Sequence, residues 1–483
     1  MLFNSIDFAI FLPIVFILYW FVSSKKLKLQ NLLIVAASYL FYGWWDWRFL
    51  SLIIFSTLVD YTIGRKLKSE ENRTKRKTLL WTSIIVNLGF LGFFKYYNFF
   101  LDNFVSAFSF FGAEISASSL NIILPVGISF YTFQTLSYSI DVYKRKLEPT
   151  DDFIAFSAFV SFFPQLVAGP IERATNLLPQ FYKKRTFDYS KAVDGMRQIL
   201  WGLFKKIVIA DNCAQYANLI FNNSSEYSGS TLVLGAVFFS FQIYGDFSGY
   251  SDIAIGTSRL FGFNLMQNFN FPYFSRDIAE FWRRWHISLS TWFRDYLYIP
   301  LGGSRGGTWM KVRNTFIIFI VSGFWHGANW TFIVWGALNA VFFLPLLLTE
   351  NNRNNLKPVA QGKVFPSVKE FAFMLLTFGL IVTAWIFFRA ENIGHAVSYI
   401  SDIFSPSLFS IPQFVGRGRA FVVIVLIGIF VLLEWQGREG QYAIDNLGQN
   451  WYRPIRWSFY ASIIFAIGIF MPSVESPFIY FQF

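Results

Sequence analysis

Cysteine is almost missing from this sequence. One residue of the type, Cys213, occurs among 483, so no intrachain disulfide can form and no pair of thiolates can hold a metal. It lies inside an apolar stretch, where a thiol is expected to act as a small buried apolar group. Histidine is scarce too, with three in the chain: His286, His326 and His395. The first two are far apart in sequence, no HExxH pattern is present, and no metal site is expected. No internal repeat or low-complexity tract is found. Charged residues make up only 14% of the chain, too few to solvate a soluble protein of this length.

What is abundant is apolar surface. Hydrophobic residues reach 54% and aromatics 21%, and the mean hydropathy is +0.42. Apolar runs of roughly 17 to 25 residues recur, the length a helix needs to cross a bilayer. The formal charge of +12 sits in short basic clusters between these runs, so it reads as a topology signal and no nucleic-acid partner is expected. The opening MLFNSIDFAIFLPIVFILYWFV carries Asp7 where a signal peptide would be basic, and its lysines (Lys25, Lys26, Lys28) follow the apolar stretch. It is expected to be a retained first helix.

Candidate spans cover 6–22, 31–45, 47–63, 79–100, 121–140, 195–220, 231–250, 314–325, 330–348, 371–388, 419–436 and 457–471. The chain is therefore expected to be all-α: one integral membrane domain over 1–483, a polytopic helical bundle of about 11–13 membrane helices. Basic residues at 25–28, 65–77 and 144–146 place those loops in the cytoplasm, and 101–120, with Asp102 and Glu114 but no Lys or Arg, falls outside. Both termini then lie on the extracytoplasmic side. The stretch 153–168 lies between two basic segments and leads into Pro164, Gly169, Pro170 and Pro179. It is expected to be a re-entrant or surface-lying element, with its backbone buried by protein. In 251–313, a basic interval expected at the cytoplasmic face, Ile278, Phe281, Trp285, Leu289, Trp292 and Tyr296 recur at helical spacing. That pattern predicts an amphipathic surface helix.

His326, in SGFWHGANW, lies between two apolar spans. Ionisable groups at such depth are costly and usually serve function. A neutral imidazole can act as a general base, although a histidine satisfied by packing alone is the bland alternative. His286, in FWRRWHISLSTWF, could face the same cavity or share the interfacial belt with Trp282, Trp285 and Trp292. His395, in ENIGHAVS, reads as a surface residue.

The phrases FFPQLVAGPIERATNLLPQF, YGDFSGYSDIAIGTSRLFGFNL, FWRRWHISLSTWFRDYLYIPLGG and FWHGANWTFIVWGALNA together resemble the membrane-bound O-acyltransferase family. The resemblance spans nearly the whole chain and looks closest to a bacterial branch of polysaccharide O-acetylases, with D-alanyl transferases and peptidoglycan acetylases as more distant relatives. It implies a helical ring around a funnel, a catalytic histidine matching His326 and a second polar position matching His286. It also implies transfer of an acyl group from a thioester donor, acetyl-CoA or an acyl-carrier protein, to the hydroxyl of a cell-surface polysaccharide such as alginate, at a bacterial inner membrane. No bound cofactor is implied.

On this reading His326 takes the hydroxyl proton. His286, Asn329 or backbone N–H groups near Gly327 would stabilise the oxyanion. Arg283, Arg284, Arg294 and Arg305 are candidates to hold donor phosphates, although they could instead anchor to lipid head groups, and Glu280 could simply pair with Arg284. The tail SPFIYFQF holds Tyr480, a candidate acyl relay in relatives of this kind, with an aromatic interface anchor as the alternative. A cytoplasmic donor and an external acceptor call for an extracytoplasmic acetyltransferase partner. A transporter or lipid flippase is the rival from another class, but no two halves of the chain look alike.

Overall fold

A computed structural model describes residues 1–112, 118–167, 169–472 and 478–479. Every regular element among them is helical, as a bilayer requires when each backbone N–H and C=O must find its partner within the segment. Among the described residues five helices are long and apolar enough to cross a membrane: Arg73–Phe110, Gly229–Leu260, Trp330–Leu348, Val368–Arg389 and Arg417–Gly437. The chain is a polytopic helical membrane protein. It divides into two compact units, 1–193 with 257–266, and 194–256 with 267–483.

The first unit carries α1 (Ile6–Ile17), α2 (Leu27–Asp46), α3 (Leu50–Ser69), α4 (Arg73–Leu91), α5 (Tyr97–Phe110), α6 (Ile128–Tyr143), α7 (Phe153–Ser161), α8 (Phe163–Leu166) and α9 (Ala174–Leu177). Its core is knitted by buried polar groups. Asp60 on α3 accepts from Ser83 and Asn87 on α4 at 2.5 and 2.8 Å, and from Ser139 on α6 at 2.6 Å. Without a hydrophobic drive between helices in lipid, such bonds and close packing hold helices together. The stretch expected to be re-entrant is a broken element: α7 ends at Ser161, Pro164 sits in the first turn of α8, and residues 155–166 are buried. Protein covers its backbone, the condition that reading set.

Two expectations in this unit are corrected. The helix expected over 121–140 begins only at Ile128, after Gly127 in a left-handed conformation with φ 73°; Pro125 just upstream disfavours an earlier start. The segment 101–120 was expected to be a loop, yet α5 continues through Phe110. Glu114 lies outside the described residues.

The second unit carries most of α10 (Tyr189–Leu203), then α11 (Asp211–Asn222), α12 (Gly229–Leu260, whose last turn returns to the first unit), α13 (Ile278–Arg284), α14 (Ile287–Phe293), α15 (Thr308–His326), α16 (Trp330–Leu348), α17 (Val368–Arg389), α18 (Ile393–Ile403), α19 (Arg417–Gly437) and α20 (Arg453–Phe470). Spans expected over 314–325, 330–348, 371–388 and 419–436 fall inside α15, α16, α17 and α19. The span expected over 195–220 is interrupted by a wide helical turn at Phe204–Ala210. Lys205 and Lys206 are buried there, against Asp252 at 2.5 Å and Asp246 at 2.8 Å respectively. α12 runs ten residues past its expected end at 250, because Ser251, Asp252, Thr257 and Ser258 are buried inside the protein rather than facing solvent. Cys213 is fully buried on α11, as expected.

The amphipathic helix expected over 278–296 is a further correction. The apolar face exists, with Ile278, Phe281, Trp285, Leu289 and Trp292 all buried. The helix does not run through, because α13 stops at Arg284 and α14 restarts at Ile287, with a sharp break at His286.

Candidate active site

α15 and α16 form a hairpin whose close approach depends on two glycines. A Cβ added at Gly323 would meet the Phe332 carbonyl oxygen at 2.1 Å, and one at Gly336 would meet that of Phe319 at 2.3 Å. Small residues at such positions let helix backbones touch. The last residue of α15 is His326. Gly327 turns the chain in an extended conformation, and Asn329 caps α16 by accepting from the Thr331 N–H at 3.0 Å. The hairpin thus delivers His326 at its turn. Its ring is 3% exposed and enclosed by aromatic rings, with centroids of Trp325, Trp335 and Phe388 at 4.9, 5.1 and 5.3 Å.

His286 reaches the same place by a different route. Its backbone sits at φ 43°, ψ 55°, the left-handed region, a conformation that costs a non-glycine residue about 1–3 kcal/mol and clusters at functional sites. Asp277 caps α13 before the break, accepting from the Glu280 N–H at 2.6 Å, and the Ile287 N–H donates to the Asn268 carbonyl at 2.9 Å after it. The His286 ring, 1% exposed, lies 6.5 Å from that of His326, centroid to centroid. Phe247 of α12 packs edge-on against it at 4.6 Å. His286 lies outside the spanning helices, and burial pushes its pKa down to about 3. It is therefore a neutral imidazole at physiological pH, carrying one N–H to donate.

The structure therefore gathers His326 and His286. It gives the other sequence candidates different surroundings. Asn329 spends its oxygen on the α16 cap and donates through its amide to the Glu391 carbonyl at 2.9 Å. Arg284 pairs with Glu280 at 3.0 Å, and Arg276 pairs with the same carboxylate. Arg283 donates to the carbonyls of Asn352 and Asn355 at 2.7 and 2.9 Å. Arg294 is exposed beside Asp295 at 2.8 Å, and Arg305 is exposed. His395 is half-buried, its Nε2 3.2 Å from the Ser224 hydroxyl. Tyr480 lies outside the described residues. Its neighbours Phe478 and Ile479 are buried in the second unit, which does not suit an aromatic interface anchor for those two.

Sequence reasoning missed Asp246 and Phe247, although both stand in the quoted phrase YGDFSGYSD. A carboxylate inside an apolar run was the available signal.

The model of the membrane-bound O-acyltransferase family, MBOAT, matches residues 149–363, an interval that holds both histidines and the α15–α16 hairpin. A protein of Pseudomonas putida, named as a probable alginate O-acetylase AlgI, is 38% identical over the full length of both chains. This chain belongs to the membrane-bound O-acyltransferase family. Within the family it is also similar to a peptidoglycan O-acetyltransferase of Helicobacter pylori, 36% identical over 83% of this chain and 80% of the relative. A teichoic acid D-alanyltransferase of Bacillus subtilis is 31% identical over 46% of this chain and 58% of its own length. This O-acyltransferase is thus an enzyme that moves an acyl group to a hydroxyl, in a membrane.

Proposed function

We propose that this membrane O-acyltransferase accepts acetyl groups from cytoplasmic acetyl-CoA and passes them outward for O-acetylation of a cell-surface polysaccharide of the alginate kind. The observation that carries the reading is the pair of buried imidazoles at the head of the α15–α16 hairpin, 6.5 Å apart, together with the full-length similarity to a probable alginate O-acetylase. Acyl transfer from a thioester needs a base for the hydroxyl and a donor for the oxyanion. His326 takes the hydroxyl proton as the oxygen attacks the thioester carbon. The resulting oxyanion is met by the neutral His286 N–H and by backbone N–H groups near Gly327. The C–S bond then breaks, and the thiolate leaves with the proton held on His326.

Buried aromatic walls around both rings favour this arrangement, because electrostatic stabilisation strengthens as the dielectric falls. Tyr480 is the proposed acyl relay, since a phenol of pKa near 10 leaves more readily than an alkyl alcohol. With basic loops in the cytoplasm of a bacterial inner membrane, both termini face outward, and an extracytoplasmic acetyltransferase completes the transfer to polymer. Arg283, Arg284, Arg294 and Arg305 contribute positive potential for the donor phosphates.

The test is transfer from labelled acetyl-CoA by membranes holding wild type, His326→Ala or Tyr480→Phe at matched expression. Label acquired by wild type and not by His326→Ala supports the reading, and loss of protein-bound label in Tyr480→Phe supports the relay. If wild type takes label only from a carrier-bound D-alanyl thioester, the acetyl-CoA assignment is overturned.

A further inference from the structure

The interrupted helix after α10 places a lysine where lipid-embedded helices rarely tolerate one. Lys206 is 1% exposed, and its ammonium lies 2.7 Å from Asp211 on α11 and 2.8 Å from Asp246 on α12. Asp211 and Asp246 are buried as well. Removing three charged groups from solvent costs several kcal/mol each unless every one is held by opposite charge and hydrogen bonds. Such a cluster is poor value as a generic staple, since well-packed apolar residues would hold the helices as well or better.

One bond sets this cluster apart. Two carboxylates share one ammonium, so each keeps lone pairs for other donors. Asp246 spends one on the C-terminal tail: its Oδ2 accepts the backbone N–H of Ile479 at 2.6 Å, in a buried setting. Next to that bond the Phe478 ring packs on Tyr250 at 4.5 Å and on Phe247 at 5.8 Å. The Lys206 ammonium lies 5.7 Å from the centroid of the same Tyr250 ring. Phe247 is the ring that packs against His286 at 4.6 Å. A chain of contacts therefore runs from the charged cluster through the tail to the histidine pair.

We infer that Lys206, Asp211 and Asp246 form a latch that seats Phe478 and Ile479 beside the histidine pair, with Asp246 as the positioning residue. Lys206 and Asp211 fix the carboxylate of Asp246, and the carboxylate fixes the tail backbone. The inference rests on the acyl-transfer reading for its consequence, but the seating itself is measurable without any reaction.

The experiment uses the full-length protein in detergent with Ile479→Cys placed in a Cys213→Ala background. The backbone N–H that Asp246 holds is kept, and maleimide labelling reports whether residue 479 is seated. Labelling is expected to be slow in that parent and at least about tenfold faster after Asp246→Ala or Lys206→Met, as a local opening would be. Asp246→Asn, which keeps an oxygen acceptor, should lie between. Native Cys213, fully buried, serves as the reporter of wider opening in a chain with no second cysteine, and should stay protected in the Asp246→Ala variant. Equal labelling of residue 479 with and without Asp246, or Cys213 exposed in step with it, overturns the latch. For the consequence, Asp246→Ala should lower kcat for acyl transfer with KM for the thioester donor unchanged. An unseated tail with unchanged kcat overturns the positioning role while leaving the acyltransferase reading intact. A wild type that transfers nothing would instead strike the donor assignment.

Discussion

The two histidines of the site reach it by opposite structural means. His326 is the last residue of a regular helix, and the close glycine contacts of α15 and α16 fix where that helix ends. His286 stands at a break, with left-handed backbone between two helices of seven residues each. The first is positioned by packing of small residues, the second by a strained main chain held from both sides. The comparison teaches that one imidazole can be carried on a rigid, unstrained element while its neighbour is placed by a local conformation that only the surrounding core can maintain.

The sharpest test of the comparison removes the imidazole on the regular element. His326→Ala should cut turnover by about 10²–10⁴-fold, the usual worth of a general base, with the detergent-solubilised protein eluting as wild type does. Next in size is the packing that carries it. Gly323→Ala drives a methyl into the Phe332 carbonyl, and overpacking of this kind costs about 1–3 kcal/mol, read as a lower thermal midpoint. Gly379→Ala on α17, where nothing lies within 4 Å of an added Cβ, should cost nothing and checks that any glycine will not do.

At the other histidine, His286→Asn keeps a residue that tolerates the left-handed region, whereas His286→Val does not. Both should lower kcat, by about tenfold or more for loss of an aimed donor, but only His286→Val should also lower the thermal midpoint. Equal stability of the two would break the comparison. A smaller effect is pH dependence. The folded pKa of His286, about 3, lies below its ordinary value of 6.5, so on acidification the unfolded chain takes up the proton first. Stability contributed by this group is complete above pH 6.5 and is lost as the pH falls toward 3. Between about pH 7 and about pH 5 the midpoint of wild type should therefore fall further than that of His286→Asn. The smallest effect is expected at Arg283. Its guanidinium is bonded to the carbonyls of Asn352 and Asn355, so Arg283→Gln should change KM for the thioester donor only slightly. A large rise in KM would assign it to donor binding.

Much of this is legible in the sequence. The apolar spans on either side of His326 announced the hairpin, because an ionisable residue at the turn between two hydrophobic helices stands out. The apolar face at 278–296 was legible as well, since its spacing is helical. The break within it was not, because FWRRWHISL contains no glycine or proline to mark a left-handed residue, and the surrounding fold imposes that conformation. The extra ten residues of α12 were hidden for a related reason. Ser251, Asp252, Thr257 and Ser258 look solvated in one dimension and are buried by neighbouring helices in three. Asp246 was overlooked because nothing local announces that its partners are Lys206 and the backbone of Ile479.

Composition, hydrophobic run lengths and the placement of basic clusters settle that this chain is a polytopic helical membrane protein, because those features report solvent preference residue by residue. The motifs around His286 and His326 name its chemistry for the same local reason. Bringing the two rings within 6.5 Å, straining the backbone at His286 and burying Lys206 beside two carboxylates are outcomes of packing. The ring pair, the Lys206–Asp246 pair and the Asp246–Ile479 bond join residues 40 or more positions apart in the chain, and no short window of sequence contains both sides of such a contact.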